Sequence, residues 1–192
     1  MNSNMNIAIY CGSSFGNEKI YEEKAKEIIN YLSTKDVSII YGGSKSGLMG
    51  TISNQAIKLK MKVQGVIPKN LADKEILNDT ISTIYYVKDI RERKAKMEEL
   101  SDAFIAIPGG YGTLEEISEV FTSIQIGSHR KPCALYNQNG YYDKLIEFLD
   151  NCVKEGFIMK EHLDAIIISD DINYIYNTFL KYKAPKNKWD LS

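Results

Sequence analysis

The chain has 192 residues, with 24 Lys and Arg against 25 Asp and Glu and a formal net charge of −1. That length sets one domain as the expectation, with enough interior to fold alone, and 44% hydrophobic with 26% charged residues excludes disorder. The balanced charge disfavours nucleic acid or an anionic membrane surface as partner, since both reward an excess of basic residues.

Residues 1–6 are polar and run into Ile7-Ala8-Ile9-Tyr10-Cys11, an apolar stretch too short for a signal-peptide core and without a basic flank. Later apolar runs, over 103–107 and 165–169, have strand length and fall far below the roughly 20 residues of a membrane helix. Cys11, Cys133 and Cys152 are odd in number and unevenly spaced, with no CxxC pair. Neither a disulfide framework nor a zinc site is expected, so a reducing cytoplasm is the expected compartment.

From the N-terminus onward, short β-branched runs alternate with longer amphipathic stretches. The predicted order is strand 6–11, helix 18–34, strand 37–42, helix 48–60, strand 62–68, strand 81–87, helix 90–101, strand 103–108, helix 114–126, strand 132–136, helix 141–155, strand 165–169 and helix 172–182. Such alternation predicts an α/β fold: one doubly wound, Rossmann-like domain over 1–182, its sheet mainly parallel with helices on both faces. Residues 183–192 are expected to form a C-terminal surface extension.

In such sheets, ligands sit at the carboxyl ends of strands, where glycine-rich turns feed helix N-termini. Three turns of that kind occur: Cys11-Gly12-Ser13-Ser14-Phe15-Gly16, the decapeptide from Tyr41-Gly42-Gly43-Ser44 to Gly50, and Pro108-Gly109-Gly110-Tyr111-Gly112-Thr113-Leu114-Glu115-Glu116. Glycines that merely let helices pack on strands explain any one of them; three in register predict a site for an anion approached closely by backbone. Neither GxGxxG nor GxxxxGK[ST] is present, which disfavours NAD binding and Walker-type ATP hydrolysis.

The helix after the fourth strand carries Ile90, Met97 and Leu100 as its apolar stripe, and Arg93 and Lys94 fall on that stripe. Two outcomes fit: the stems pack and the charged heads reach water, or both heads enter a cleft that holds phosphate. Glu92 and Lys96 read as a solvent i,i+4 pair. Thr113-Leu114-Glu115-Glu116 fits a capping box, which would make Glu116 a hydrogen-bond acceptor for the Thr113 backbone. Two adjacent carboxylates at an anion-binding helix start oppose that anion, so the competing expectation is that one of them acts chemically on the ligand. His129 and His162 are expected to be capping or surface residues, and Cys11 a small buried apolar group.

Pro108 to Glu116 fits PGGxGTxxE and follows the Arg93-Lys94 pair. With Cys11-Gly12-Ser13-Ser14, the second glycine turn, Gly65-Val66-Ile67-Pro68 and Gly140-Tyr141-Tyr142, the sequence resembles the Lonely Guy (LOG) family of cytokinin-activating nucleotide phosphoribohydrolases, often mislabelled lysine decarboxylases, over most of its length. The resemblance implies cleavage of the N-glycosidic bond of a purine nucleoside 5′-monophosphate, without metal or organic cofactor, by a homodimer. It also implies Arg93 and Glu116 as the catalytic pair. Glu75, Arg93, Lys94, Gly109, Gly110, Tyr111, Gly112, Thr113, Leu114, Glu115 and Thr122 match the substrate-contacting positions. Ser44, Ile90-Arg91 and Ser123 depart from the family pattern, the last two near the expected base pocket. A non-catalytic carrier of a nucleotide-type cofactor is the alternative function.

Overall fold

The β-branched runs form a single seven-stranded sheet in the computed structural model, which describes residues 4–72 and 77–189. The strands are β1 (Met5–Tyr10), β2 (Val37–Tyr41), β3 (Val63–Pro68), β4 (Thr83–Val87), β5 (Ala103–Ala106), β6 (Cys133–Tyr136) and β7 (Ile166–Ser169). Their order is β4-β3-β2-β1-β5-β6-β7, and every neighbouring pair is parallel. Each predicted strand is present, displaced by at most two residues at either end.

The helices are α1 (Lys19–Leu32), α2 (Gly47–Lys58), α3 (Lys69–Ala72), α4 (Ile90–Leu100), α5 (Tyr111–Ile126), α6 (Asp143–Lys154), α7 (Lys160–Asp164) and α8 (Ile172–Phe179), with a 3-10 turn at Gln138–Gly140. The two shortest, α3 and α7, have too few residues to display an apolar period, which is why alternation alone does not reveal them.

Side chains of β1 alternate between two cores, as a parallel strand covered on both faces requires. Ile7, Ile9 and Cys11 join α1, α2 and α8 through Ile28, Ile29, Leu48, Ile52 and Ile175. Ala8 and Tyr10 join the opposite layer, where α4 contributes Met97 and α5 contributes Ile117, Val120 and Ile124. The helices bearing Arg93 and Glu116 therefore lie on the same face of the sheet.

Strand order reverses at β1 and β5, which are neighbours while their chains continue to opposite sides. The turns leaving those two strands flank the crevice that such a reversal opens. All three glycine turns meet there through backbone: the Gly12 N–H donates to the Pro108 carbonyl (3.1 Å), and the Met49 N–H donates to the Gly12 carbonyl (3.4 Å). Gly47 has φ +54° and sits so near Ser13 that a Cβ would come within 2.3 Å of its carbonyl carbon. Only glycine combines that left-handed conformation with that approach.

The described part of the tail folds back on the body. The Lys188 N–H donates to the Gln125 carbonyl (3.0 Å), and His162 Nε2 lies 3.0 Å from the Lys186 carbonyl oxygen. His162 is thus a buried anchor for the tail rather than a surface residue. His129, half-buried, stacks on Phe104 at 5.5 Å between ring centroids.

Candidate active site

Helix α4 begins with a reciprocal cap. Asp89 Oδ1 accepts from the Glu92 N–H (2.9 Å), and Glu92 Oε2 accepts from the Lys88 N–H (2.6 Å). Glu92 is therefore a capping group, and Lys96 pairs with Glu99 instead (2.9 Å), correcting the expected Glu92–Lys96 pair. One turn further along, Arg93 and Lys94 point toward α5, with side chains only 15% and 13% exposed.

Neither basic head is left to water, so the snorkelling expectation fails. Lys94 Nζ is held between Glu115 Oε1 (2.8 Å) and Glu119 Oε2 (2.5 Å), successive turns of one face of α5. Hydrogen bonds donated to both carboxylates push the Lys94 ammonium pKa up, keeping it charged. Arg93 Nη2 faces Glu116 Oε1 at 3.3 Å, and Arg93 Nε is buried without a hydrogen-bond partner among the described residues.

The capping-box expectation at Thr113 fails as well. Helix α5 starts at Tyr111 with Gly110 as its N-cap and no side-chain cap, so Thr113 is already inside the first turn. Glu116 turns instead to Arg93, with its side chain 11% exposed. Burial raises the Glu116 carboxyl pKa above the ordinary glutamate value, and the Arg93 guanidinium opposes that rise. The result is a poorly hydrated carboxyl group whose charged form is favoured chiefly by the Arg93 guanidinium. Cys11, buried nearby, has its thiol pushed up by burial and further by the Glu116 charge, so it stays protonated.

The guanidinium has little room. A Cβ built at Gly42, just after β2, would stand 2.0 Å from Arg93 Nη2 and 2.9 Å from Met49 Sδ. Both atoms end flexible side chains, so Gly42→Ala should fold but displace Arg93 from Glu116. If the pair works on substrate, kcat/KM should fall roughly 10- to 100-fold, the scale of an ångström-sized misplacement, with circular dichroism and melting temperature close to wild type. Unchanged kinetics would show that this placement of Arg93 does not matter.

At the β1–β5 reversal lies a cavity of about 300 Å3, lined by Gly12, Ser13, Ser14, Phe15, Tyr21 and Tyr141 together with Leu48 and Pro108 to Gly110. Gly109 is closely packed: a Cβ there would meet Thr113 Oγ1 at 2.1 Å and the Gly12 nitrogen at 2.7 Å. Gly110 and Gly112 face open space, where a Cβ would touch nothing within 4 Å, and Tyr111 is 94% exposed. The first-turn amides of α5 have no intrahelical acceptor, and the two glycines beside them add no side chain there.

Several expected residues are not drawn together. Leu114 turns inward against the second core. Thr122, two turns along α5 from Glu115, lines a separate groove of about 180 Å3 with Phe121, Leu149, Ile158 and Leu163. Arg93 and Glu116 are not among the residues lining the cavity at the strand reversal. Glu75 lies outside the described residues. Of the departures from the family pattern, Ser44 is buried and its hydroxyl accepts from the Ser46 N–H (3.1 Å), and Ser123 donates to Glu98 Oε2 (3.3 Å). Sequence reasoning missed Gly42 as the neighbour of Arg93, and Glu119 as a partner of Lys94. Only the i,i+4 spacing from Glu115 to Glu119 signalled the latter.

Among the described residues, no cluster of three or more His, Cys, Asp or Glu side chains is arranged to hold a metal ion. No helix there is long and apolar enough to cross a membrane.

Residues 49–179 match the family described as possible lysine decarboxylase. Over 191 residues the chain is 47% identical to the cytokinin riboside 5′-monophosphate phosphoribohydrolase LOG1 of Arabidopsis thaliana, covering 96% of this chain and 90% of that protein. It is 39% identical, again over 191 residues, to a probable enzyme of the same name, LOGL2, from Oryza sativa subsp. japonica, covering 96% and 78%. Among solved structures, a molybdenum cofactor binding protein from Rippkaea orientalis superposes with a TM-score of 0.70 at 18% identity, covering 94% of this chain and 98% of that one. The Moco carrier protein of Chlamydomonas reinhardtii gives 0.66 at 15% identity, covering 94% and 99%. At those identities the structural likeness establishes a shared fold.

Proposed function

The chain belongs to the LOG family, and we propose that it is a phosphoribohydrolase that cleaves a purine nucleoside 5′-monophosphate of the cytokinin riboside class into free base and ribose 5-phosphate. The observation that carries the proposal is the buried Glu116 carboxylate, facing Arg93 at 3.3 Å, one and a half turns into the helix that the PGG turn opens.

Glycosidic cleavage proceeds through an oxocarbenium-like transition state, which an adjacent carboxylate stabilises. Glu116 opposes the positive charge developing at the ribose C1′ and accepts a proton from the attacking water, whose oxygen bonds C1′ as the C1′–N9 bond breaks. The bonding electron pair leaves with the base, which takes up a proton at nitrogen. Arg93 keeps Glu116 ionised and offsets negative charge on the departing base. Backbone amides over 109–113 receive the 5′-phosphate at the start of α5. Glu75, Lys94, Glu115 and Thr122 complete the proposed substrate contacts, with Lys94 holding Glu115 in place. Lys94 is poorly suited to the Schiff-base chemistry that a decarboxylase description would need, because such a lysine works as a neutral amine and this one is held charged by two carboxylates.

We further infer a cytoplasmic homodimer. The cysteines are unpaired, with Cys11 and Cys133 buried. Helix α6 is amphipathic yet has no buried residue, and its Leu149 lines the apolar groove beside Thr122. A second copy covering that face would remove its apolar surface from water. Light scattering should return twice the chain mass; the mass of one chain at micromolar concentration would contradict the dimer.

Incubation with a panel of 5′-monophosphates and the matching nucleosides, followed by chromatography, tests the activity. Free base is expected from purine 5′-monophosphates and little from nucleosides. Base released equally from both would contradict recognition of the phosphate, and none from any of them would contradict the activity.

A further inference from the structure

The Gly140-Tyr141-Tyr142 motif has no part in the chemistry proposed so far, yet both phenols brace the PGG turn. Tyr142 Oη donates to the Ile107 carbonyl at 2.8 Å, and Tyr141 Oη donates to the Gly109 carbonyl at 2.6 Å. The two tyrosines differ in setting: Tyr142 is buried, whereas Tyr141 is 43% exposed and lines the cavity at the strand reversal.

Their own placement is rigid. Gly140 has φ +71°, and a Cβ there would come within 2.4 Å of Asp143 Oδ2. Asn137 Oδ1 accepts from the Tyr142 N–H (2.8 Å), and Asn137 Nδ2 donates to Asp143 Oδ1 (2.8 Å), so the turn between β6 and α6 is pinned on both sides. The Tyr141 ring packs edge-on against Tyr21 at 5.8 Å and against Tyr142 at 5.0 Å between centroids.

What the Tyr141 hydroxyl holds is the peptide between Gly109 and Gly110. That unit is planar and trans, so its C=O and N–H point in opposite directions. Both flanking residues lack a Cβ and so admit more backbone conformations than any other residue; Gly109 is closely packed against Thr113 and Gly12, whereas Gly110 faces open space, so on the Gly110 side rotation of this peptide meets no neighbour. Rotated, it would present its carbonyl oxygen to an anion at the start of α5; held by the phenol, the carbonyl is occupied and the Gly110 N–H is left for the ligand. We propose that Tyr141 is a positioning residue for phosphate recognition: its hydroxyl fixes the Gly109–Gly110 peptide in the orientation that accepts an anion. The inference rests on the phosphoribohydrolase function proposed above and adds a residue that acts through the backbone of the PGG turn.

Tyr141→Phe removes the hydroxyl and keeps the ring. With AMP as substrate, KM should rise at least about tenfold with a smaller change in kcat, as for loss of one preorganised hydrogen-bonding group. The inhibition constant of ribose 5-phosphate should rise in parallel, and the melting temperature should stay within a few degrees of wild type. KM and the inhibition constant both unchanged would overturn the proposal. So would a fall in kcat alone, or loss of a cooperative melting transition, since either would make Tyr141 a catalytic or a purely structural residue. If wild-type enzyme releases no base, the function itself fails. If wild type is active and Tyr141→Phe matches it, only the role of Tyr141 fails.

Discussion

Glu116→Gln is expected to lower the turnover of a nucleoside 5′-monophosphate by roughly a thousandfold, while the variant still binds the nucleotide. The carboxamide matches the carboxylate in shape but bears no negative charge and takes no proton, so it loses both proposed roles. General base catalysis by one side chain commonly contributes about 10²- to 10⁴-fold, and a thousandfold loss corresponds to about 4 kcal/mol of transition-state stabilisation. Ground-state binding should persist because the 5′-phosphate is held by the amides at the start of α5. Quenched-flow turnover together with calorimetric titration of the variant with AMP separates the two effects. Full activity in Glu116→Gln would reduce the 3.3 Å contact with Arg93 to an ion pair that joins two helices.

Arg93→Ala should produce the second-largest effect, with a distinctive pH dependence. The Glu116 carboxyl titrates above its ordinary range because it is buried, and Arg93 pulls it back down. The general base must be ionised, so wild-type activity falls as pH drops through that raised value. Without Arg93 the value rises further, because Lys94 is committed to Glu115 and Glu119. The acid limb of the kcat/KM profile should therefore move to higher pH. Near neutrality the loss should be about a hundredfold, comparable to removal of one electrostatic stabiliser, and part of it should be regained on raising the pH. An unshifted acid limb would mean that Arg93 does not control the ionisation of Glu116.

The sheet was legible because a parallel strand buried on both faces has to be nearly continuous in apolar residues, as Val37-Ser38-Ile39-Ile40-Tyr41 is. The convergence of the glycine turns was legible too, since alternation places every such turn at the same sheet edge. Capping was not. Asp89-x-x-Glu92 and Thr113-x-x-Glu116 present the same local pattern, and the first is a cap while the second is not. Glu116 finds a counter-charge 23 residues earlier in the chain, and a buried carboxylate gains more from a guanidinium than from one amide. The fate of Lys94 and the bracing role of Tyr141 likewise depend on partners 21 and 32 residues away. Arg93 and Glu116 stand out in the sequence for different reasons: Arg93 breaks an apolar stripe, and Glu116 puts negative charge where an anion is expected.

In the proposed reaction, water cleaves the bond between ribose C1′ and the base while Glu116 takes the proton. A time course with N6-isopentenyladenosine 5′-monophosphate, measuring free base and ribose 5-phosphate in the same samples, tests it most directly. The two products are expected to accumulate in equal amounts as the nucleotide disappears. Nucleoside with inorganic phosphate, or nucleotide recovered intact after prolonged incubation, would contradict it.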